Sequence, residues 1–149
     1  TNSITMKTLL VASLFAASLL FLQCNRTTYT AADFPEKNYL SFGNGGGYAG
    51  AYTAHYVLEN GQLFSQNGIA GEKTAIGKIP ARKAKKLFKQ YQDSLLAVQY
   101  NEPGNMYYFL EGAAADTTYK VQWAKGQAEA PAVATNFYQQ LGDILPEKE

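Results

Sequence analysis

The dipeptide Asn60-Gly61 constrains the fold more than any other feature of this sequence, because it lies between two runs of residues that favour β-strands. Residues 48–58 alternate in the manner of a half-buried strand, and residues 62–66 form the expected return strand. Asparagine and glycine both tolerate the positive φ angles of a type I′ turn. The sequence therefore predicts an antiparallel hairpin, with a further short strand at residues 39–42 before it.

A change of hydrophobic spacing at Pro80 ends this strand-rich part. Apolar residues then recur every three or four positions, which predicts an amphipathic helix. Its apolar stripe consists of Ala84, Leu87, Phe88, Tyr91, Leu95 and Val98, and its opposite side carries Arg82, Lys85, Lys86 and Lys89. That basic side is either a solvated helix face or a surface for anionic lipid head groups or an acidic partner.

Two strand candidates and a second helix complete the chain. A turn cluster at residues 101–105 precedes the candidates at residues 106–110 and 117–124, which are rich in Tyr, Phe, Val and Trp. Pro131 and Pro146 bound a C-terminal helix, because proline is tolerated where a helix starts and stops it elsewhere. The predicted order is ββαββα. This order favours an α+β two-layer fold, with an antiparallel sheet of about four to five strands and two helices on one face.

An apolar segment, residues 9–22, precedes this domain and follows Met6 and Lys7. About 14 residues of helix span roughly 21 Å, which is short of the roughly 30 Å hydrocarbon core of a bilayer. A charged start followed by a short apolar stretch is typical of a secretory signal peptide. We therefore expect a signal-peptide helix within residues 1–23, with residues 1–5 as an extra segment of no assigned role. A single globular domain is expected at residues 38–149.

Cys24 is the single cysteine of the chain, and an unpaired cysteine in an exported protein needs an explanation. Residues 19–24, Leu-Leu-Phe-Leu-Gln-Cys, resemble a lipobox, in which the cysteine receives lipid and becomes the new N-terminus. The resemblance implies lipidation at Cys24, and the polar residues after it predict a linker over residues 24–37. Phe21 and Gln23 depart from the usual leucine and small residue. The alternative is ordinary cleavage that leaves a free thiol, but the Ala-x-Ala site for it is missing.

The net charge excludes one class of partner. The chain has 13 basic and 12 acidic residues, so it lacks the net basic footprint that nucleic-acid binding needs. We therefore expect no nucleic-acid partner. The two or three acyl chains of a bacterial lipoprotein would instead hold the domain at a membrane.

Candidate chemistry is sparse. His55 is the only histidine, no metal-ligand spacing surrounds it, and Ser41, Ser65 and Ser94 all lack a nucleophile elbow. Residues 45–50 match the pattern Gly-x-Gly-x-x-Gly, but a strand pattern follows them where a dinucleotide site needs a helix. We therefore predict no catalytic residue, no metal and no cofactor.

The glycine-rich stretch has two further interpretations. Its glycines allow positive φ angles and close backbone approach, as in a bent strand. Alternatively, the stretch is a partner-binding loop, for which the candidate residues are Gly45, Gly46, Gly47, Tyr48, Gly50 and Tyr52. Tyr48, Tyr52 and Tyr56 are spaced to share one side of a strand, where they are either core residues or a recognition surface for protein or sugar.

Residues 39–64 look like uncharacterised small Bacteroidota lipoproteins, on the pattern Ser-Phe-Gly-Asn-Gly-Gly-Gly-Tyr-Ala-Gly followed by Tyr-x-Leu-x-Asn-Gly-x-Leu-Phe. That resemblance implies an envelope location and no particular activity. More distantly, residues 46–50 are similar to the Gly-Gly-Phe-Ala-Gly stretch of emfourin-type inhibitors of thermolysin-like metalloproteases. This second resemblance implies a comparable layout of hairpins and helices and inhibition of a protease. Tyr48 replaces the usual phenylalanine, and no inhibitory residue is carried over.

Two hypotheses for function follow. The first is a non-enzymatic, membrane-tethered protein-binding module of the cell envelope, with a protease as one candidate partner. The alternative is a small-ligand-binding protein or an enzyme with a pocket between sheet and helices. Binding is preferred because catalysis at neutral pH usually recruits histidine, cysteine or clustered acids. The acidic residues associated with surface export do not follow Cys24, which favours an outer-membrane anchor with the domain facing the periplasm.

Overall fold

The computed structural model describes residues 27–114, 117–126 and 129–147, so the predicted signal peptide and Cys24 lie outside the described residues. The described strands are β1 (Tyr39–Gly46), β2 (Ala51–Leu58), β3 (Gln62–Asn67), β4 (Lys73–Lys78), β5 (Asn101–Glu102), β6 (Met106–Ala114) and β7 (Thr117–Ala124). The described helices are α1 (Ala81–Ser94) and α2 (Ala132–Gly142). Neither helix is long and apolar enough to cross a bilayer.

One sheet contains all of these strands, in the order β4-β3-β2-β1-β6-β7-β5. Neighbouring strands are antiparallel, except that β5 runs parallel to β7. β1 lies in the middle and pairs over all of its residues with both β2 and β6. The prediction of an α+β fold with two helices and a mainly antiparallel sheet is confirmed.

The predicted number of strands is wrong, since β4 and β5 were not expected and the order is ββββαβββα rather than ββαββα. β4 lies at an edge of the sheet and carries Lys73 and Lys78 at its two ends. Lysine on an edge strand discourages pairing with another chain, and it also removes the apolar alternation by which strands are recognised. β5 has only two residues, Asn101 and Glu102, and is too short for any periodic signal.

The hairpin of β2 and β3 is confirmed, but its turn is not of type I′. The amide of Gly61 donates a hydrogen bond to the carbonyl oxygen of Leu58 at 2.9 Å, and Gly61 has a φ of +92°. Asn60 is not among the described residues with positive φ. The loop is therefore a three-residue connection whose last residue is a left-handed glycine. The side chain of Asn60 accepts a hydrogen bond from the amide of Gln62 at 2.9 Å, which accounts for its place in the turn.

β1 continues through the glycine run, where the sequence predicted a pause between strands. Gly43 pairs with Phe109 and Gly45 pairs with Tyr107 on the neighbouring strand. The ring of Tyr107 lies over Gly45, and a Cβ there would come within 2.7 Å of the Tyr107 hydroxyl oxygen. The strand needs glycine at position 45 because the ring of Tyr107 from β6 occupies the space that a side chain would fill.

The two helices cover one face of the sheet and bury the main core there. The buried residues of this core are Leu40, Phe42, Val57, Leu63, Ile79, Ala84, Leu87, Phe88, Tyr91, Leu95, Leu110, Val121, Trp123, Ala134, Phe137, Leu141 and Ile144. α1 contributes Ala84, Leu87, Phe88 and Tyr91 of the predicted stripe, and the helix ends at Ser94, before Leu95 and Val98. Each large apolar side chain buried in this way contributes about 1.5–3 kcal/mol to the stability of the fold.

The opposite face of the sheet carries a second apolar cluster. We define the outer aromatic cluster as Phe34, Tyr39, Tyr52, Tyr56, Phe64, Tyr107 and Phe109. Residues 27–38 lie across part of this face, and the ring centroid of Phe34 is 5.1 Å from that of Tyr56 and 5.3 Å from that of Phe64. Residues 27–37 therefore pack with the domain, although the sequence predicts a polar linker there.

Gly112 provides a test of how α1 packs on the sheet. A Cβ at this position would overlap the ring of Tyr91, which is buried and donates a hydroxyl hydrogen bond to the carbonyl oxygen of Tyr119 at 2.8 Å. We expect Gly112→Ala to lower the free energy of unfolding by about 1–3 kcal/mol, the usual cost of overpacking. Urea unfolding followed by circular dichroism measures this change.

The matched control is Gly142→Ala, since nothing lies within 4 Å of a Cβ added at Gly142. This substitution should leave stability unchanged or raise it by up to about 1 kcal/mol, because alanine favours helix more than glycine does. Equal effects of the two substitutions would contradict the packing of Tyr91 on Gly112.

Candidate functional site

The glycine loop, which we define as residues 47–50, connects β1 to β2 by a tight turn. The amide of Gly50 donates a hydrogen bond to the carbonyl oxygen of Gly47 at 3.0 Å. The φ angles of these two residues are +59° and +80°. Residues with side chains adopt such angles only at a cost, so the turn itself accounts for glycine at both positions.

A neighbouring turn holds the start of the glycine loop. The amide of Gly47 donates a hydrogen bond of 2.7 Å to the carbonyl oxygen of Asn105, which lies just before β6. Gly46 has a φ of +98°, and a Cβ there would overlap the same carbonyl group. The close approach of the two backbones requires glycine at position 46. The loop is therefore fixed to β6 at its start and closed by its own hydrogen bond at its end.

Tyr48 projects from this fixed turn and is fully exposed to solvent. Ile69 and Met106 are also exposed apolar residues, at 77% and 47%. The turn between β3 and β4 and the start of β6 lie at the same end of the sheet as the glycine loop. We call this end, with Tyr48, Ile69 and Met106, the glycine-loop end.

Two hydrogen bonds hold the turn that carries Ile69, one to the backbone of β2 and one from a side chain of β3. The amide of Gly68 donates to the carbonyl oxygen of Tyr52 at 2.8 Å, and the side-chain amide of Gln66 donates to the carbonyl oxygen of Ile69 at 2.9 Å. The methionine is close to the loop as well, because a Cβ on Gly47 would lie 3.9 Å from Cγ of Met106. The turn between β3 and β4 and the start of β6 therefore carry exposed apolar side chains at the same end of the sheet as the glycine loop.

The structure separates the tyrosines that the sequence grouped together. Tyr48 lies in the turn, outside any strand, while Tyr52 and Tyr56 lie on the face opposite the helices. The ring of Tyr52 stacks on that of Phe109, with centroids 5.5 Å apart and planes at 7°. Among the candidate loop residues, Tyr52 therefore belongs to the outer aromatic cluster, Gly45 lies beneath the Tyr107 ring of that cluster, and Tyr48 belongs to the glycine-loop end.

Hydrogen bonds and cations surround the outer aromatic cluster. The Tyr56 hydroxyl donates to Oε1 of Gln66 at 2.5 Å, and the Tyr39 hydroxyl lies 3.5 Å from Oε1 of Glu111. Nζ of Lys73 lies 4.7 Å from the ring centroid of Phe34 and 5.1 Å from that of Tyr56, within the range of cation–π attraction. The cluster is therefore a second small core with a polar rim, and Tyr56 is only 7% exposed.

The three serines weighed as nucleophiles lie at different places relative to His55. His55 faces Ser65 across β2 and β3 and packs on Phe42, with ring centroids 5.4 Å apart. Ser41 belongs to a strand position whose side chain points to the opposite face, and Ser94 ends α1. The described residues contain no group of three or more His, Cys, Asp or Glu side chains that could hold a metal ion.

One cavity lies where the alternative hypothesis places it, between the sheet and a helix. It has a volume of about 380 Å³ and is lined mainly by apolar side chains from α1, β1, β6 and β7. The hydroxyl oxygen of Tyr119 is buried and has no hydrogen-bond partner among the described residues, and Gln92 adds an amide at the rim. The lining includes no acidic or basic side chain. Its chemistry suits a small apolar ligand with one polar group.

The sequence singles out Tyr48 as a candidate, but it gives no indication that Ile69 and Met106 lie at the same end of the sheet. No local pattern connects these residues, because they are brought beside the glycine loop by strand pairing between distant segments. An isolated exposed isoleucine or methionine is common and carries no signal by itself.

Burial in the outer aromatic cluster raises the pKa of Tyr39, Tyr52 and Tyr56 above the ordinary value of 10.0, and the Glu111 carboxylate adds to the increase for each. A tyrosine with a raised pKa in the folded state contributes stability that is present below pH 10 and is lost as the pH rises above it. We therefore expect the urea midpoint to fall between pH 9 and 11.5. Tyr56→Phe should reduce the steepness of this fall, whatever its effect at neutral pH. An equally steep fall of the urea midpoint with pH in both proteins would contradict a raised pKa of Tyr56 in the folded state.

The chain matches no protein-family model and no curated protein.

Proposed function

We propose that the chain is a membrane-tethered lipoprotein of the cell envelope, and that its domain binds another protein through the glycine-loop end. The observation that carries this proposal is the fully exposed Tyr48 on a turn that hydrogen bonds fix at both ends. Ile69 and Met106 extend the exposed apolar surface beside it.

Tyr48 has the properties of an interface anchor. A tyrosine supplies a large apolar ring and a hydroxyl that can stay hydrated, and tyrosine is among the residues that most often dominate binding energy. The turn that carries it is preorganised by the hydrogen bonds of Gly47 and Gly50. Binding through a rigid turn therefore loses little conformational entropy, which favours affinity.

The chemistry of the surface defines the partner. The glycine-loop end projects aromatic and aliphatic side chains from convex turns, so it fits a recess with apolar walls on another protein. The cleft of a protease is such a recess, and the similarity of residues 46–50 to emfourin-type inhibitors supports a protease as the candidate partner.

Binding of a small ligand is the second candidate function, and the cavity between α1 and the sheet is the observation that favours it. Its volume of about 380 Å³ is near the lower limit of small-molecule sites. Because its lining has no acid or base, a carrier of a small apolar compound fits this cavity better than an enzyme does.

Substitution of Tyr48 tests the proposed interface. Tyr48→Ala removes the exposed ring and leaves the backbone hydrogen bonds of the turn in place, so thermal stability should not change. Capture of the envelope partner should weaken by about 30-fold, as expected for an interface residue worth about 2 kcal/mol. Pull-down from envelope extract, followed by titration of the captured partner, measures this change.

The matched control is Leu96→Ala, because Leu96 is 47% exposed but lines the cavity beside α1, away from the glycine loop. It should capture the partner as well as the unchanged chain does. Undiminished capture by Tyr48→Ala would contradict an interface at the glycine-loop end.

Metabolic labelling tests the tether. Cells that produce the chain and are fed an alkyne-tagged fatty acid should incorporate the tag, and the chain should fractionate with membranes. Cys24→Ser should abolish both the tag and the retention in the membrane fraction after signal-peptide removal. An untagged chain, or a tag that persists in the Cys24→Ser protein, would refute lipidation at this cysteine.

A further inference from the structure

The first described residues are fixed to one end of the sheet. The side-chain amide of Asn60 donates to the carbonyl oxygen of Thr27 at 2.7 Å. The amide of Tyr29 donates to Oε1 of Gln62 at 2.8 Å, and Nε2 of Gln62 donates back to the carbonyl oxygen of Tyr29 at 2.9 Å. Residues 27–29 are therefore held against the turn between β2 and β3, which lies at the end of the sheet opposite the glycine loop.

The chain between this fixed point and Cys24 is short. Only Asn25 and Arg26 separate Cys24 from Thr27. Three residues span at most about 11 Å when fully extended. A lipid on Cys24 would therefore keep the turn between β2 and β3 close to the bilayer surface, whatever conformation the intervening residues adopt.

Basic side chains are concentrated at the same end. α1 starts there, because the amide of Ile79 donates to the carbonyl oxygen of Gly61 at 2.9 Å. Lys85 of α1 and Lys37 line one recess there together with Thr27, Asn60 and one acidic residue, Glu59. We define the basic end by the turn at residues 59–61 and the exposed side of α1.

The charge on α1 is strongly one-sided. Its exposed basic residues are Arg82, Lys83, Lys85, Lys86 and Lys89, and Asp93, which pairs with Lys89 at 2.8 Å, is its one acidic residue. Glu36 and Glu59 are the exposed acids near the start of the helix. Cations in the first turn of a helix are disfavoured by the helix dipole, so the stability of α1 does not account for them.

Apolar surface accompanies these charges. The cavity of about 380 Å³ lies at the strand ends where β1 begins, β6 ends and β7 begins, and Leu96 at its rim is 47% exposed. Basic residues beside exposed apolar side chains suit the boundary between head groups and acyl chains of a bilayer.

We infer that the basic end docks on the surface of an anionic lipid bilayer. This inference rests on the proposed function, because the tether at Cys24 would hold the basic end close to the membrane. The positive charge of α1 would make that end prefer anionic lipid. β1 has eight residues at about 3.4 Å each, so the glycine loop lies about 27 Å along the strand from the end that docks. Docking therefore directs Tyr48 away from the membrane, toward partners in the aqueous space.

Vesicle binding by an unlipidated chain tests whether the positive charge of the basic end attracts anionic lipid. The probe is the processed chain from residue 24 with Cys24→Ser, mixed with vesicles of phosphatidylcholine alone or with 30 mol% phosphatidylglycerol. We expect sedimentation with the anionic vesicles only, and release in 0.5 M NaCl, where exposed charges are screened. Equal binding to both kinds of vesicle, or to neither, would overturn the proposal and leave an acidic protein as the partner of α1.

Two matched substitutions locate the contact. Lys86→Gln should weaken binding to anionic vesicles about fivefold, the effect expected for one basic residue at a charged surface. Lys125→Gln removes the same charge from an exposed lysine beyond the end of β7, toward the glycine-loop end, and should change binding less than twofold. Equal effects of the two substitutions would overturn docking through the basic end.

Orientation can be measured in the same Cys24→Ser background, which has no other cysteine. The emission of an environment-sensitive fluorophore on Gln92→Cys should shift to shorter wavelength on anionic vesicles, and the emission of one on Ala49→Cys should not. The reverse would overturn the orientation.

The tether and the docking can fail separately. Loss of the lipid tag with intact vesicle binding refutes the tether alone, and a retained tag without vesicle binding refutes the docking alone.

Discussion

The pairing of β1 with β2 on one side and β6 on the other is the interaction on which the rest of this structure depends. All residues from Tyr39 to Gly46 have a partner on both sides. This double pairing joins the N-terminal strands to the C-terminal hairpin of β6 and β7 in one sheet. Without it, neither helix would have a continuous apolar surface to cover. Tyr48, Ile69 and Met106 would also not lie at the same end of one sheet.

The glycines of β1 make this central position possible. Gly45 leaves room for the ring of Tyr107 from β6, whereas Gly43 and Gly46 let the backbone of β1 approach the carbonyl groups of Thr53 and Asn105. Close packing within the sheet therefore accounts for glycine at three positions of this stretch. Its exposed element is Tyr48, which the surrounding glycines hold in a fixed turn but do not cover.

The sheet has two unlike ends, and the proposed functions are divided between them. The end with the glycine loop carries exposed apolar side chains on and beside its turns, which suits contact with a protein. The opposite end holds the first described residues and the basic side of α1, which suits contact with a charged bilayer. Because rigid strands separate the two ends, attachment at one end leaves the other accessible.

The sequence by itself determined the hairpin of β2 and β3, the helix α1 and the α+β class, because each is encoded by a local pattern of turn residues or apolar spacing. Only the tertiary structure decided that Tyr52 and Tyr56 lie on the face opposite the helices and that Phe34 joins them there. It also decided that Ile69 and Met106 lie beside Tyr48. The physical reason is that these contacts are made by strand pairing between distant segments, such as Gly46 with Met106, and no local window of sequence specifies which strands become neighbours.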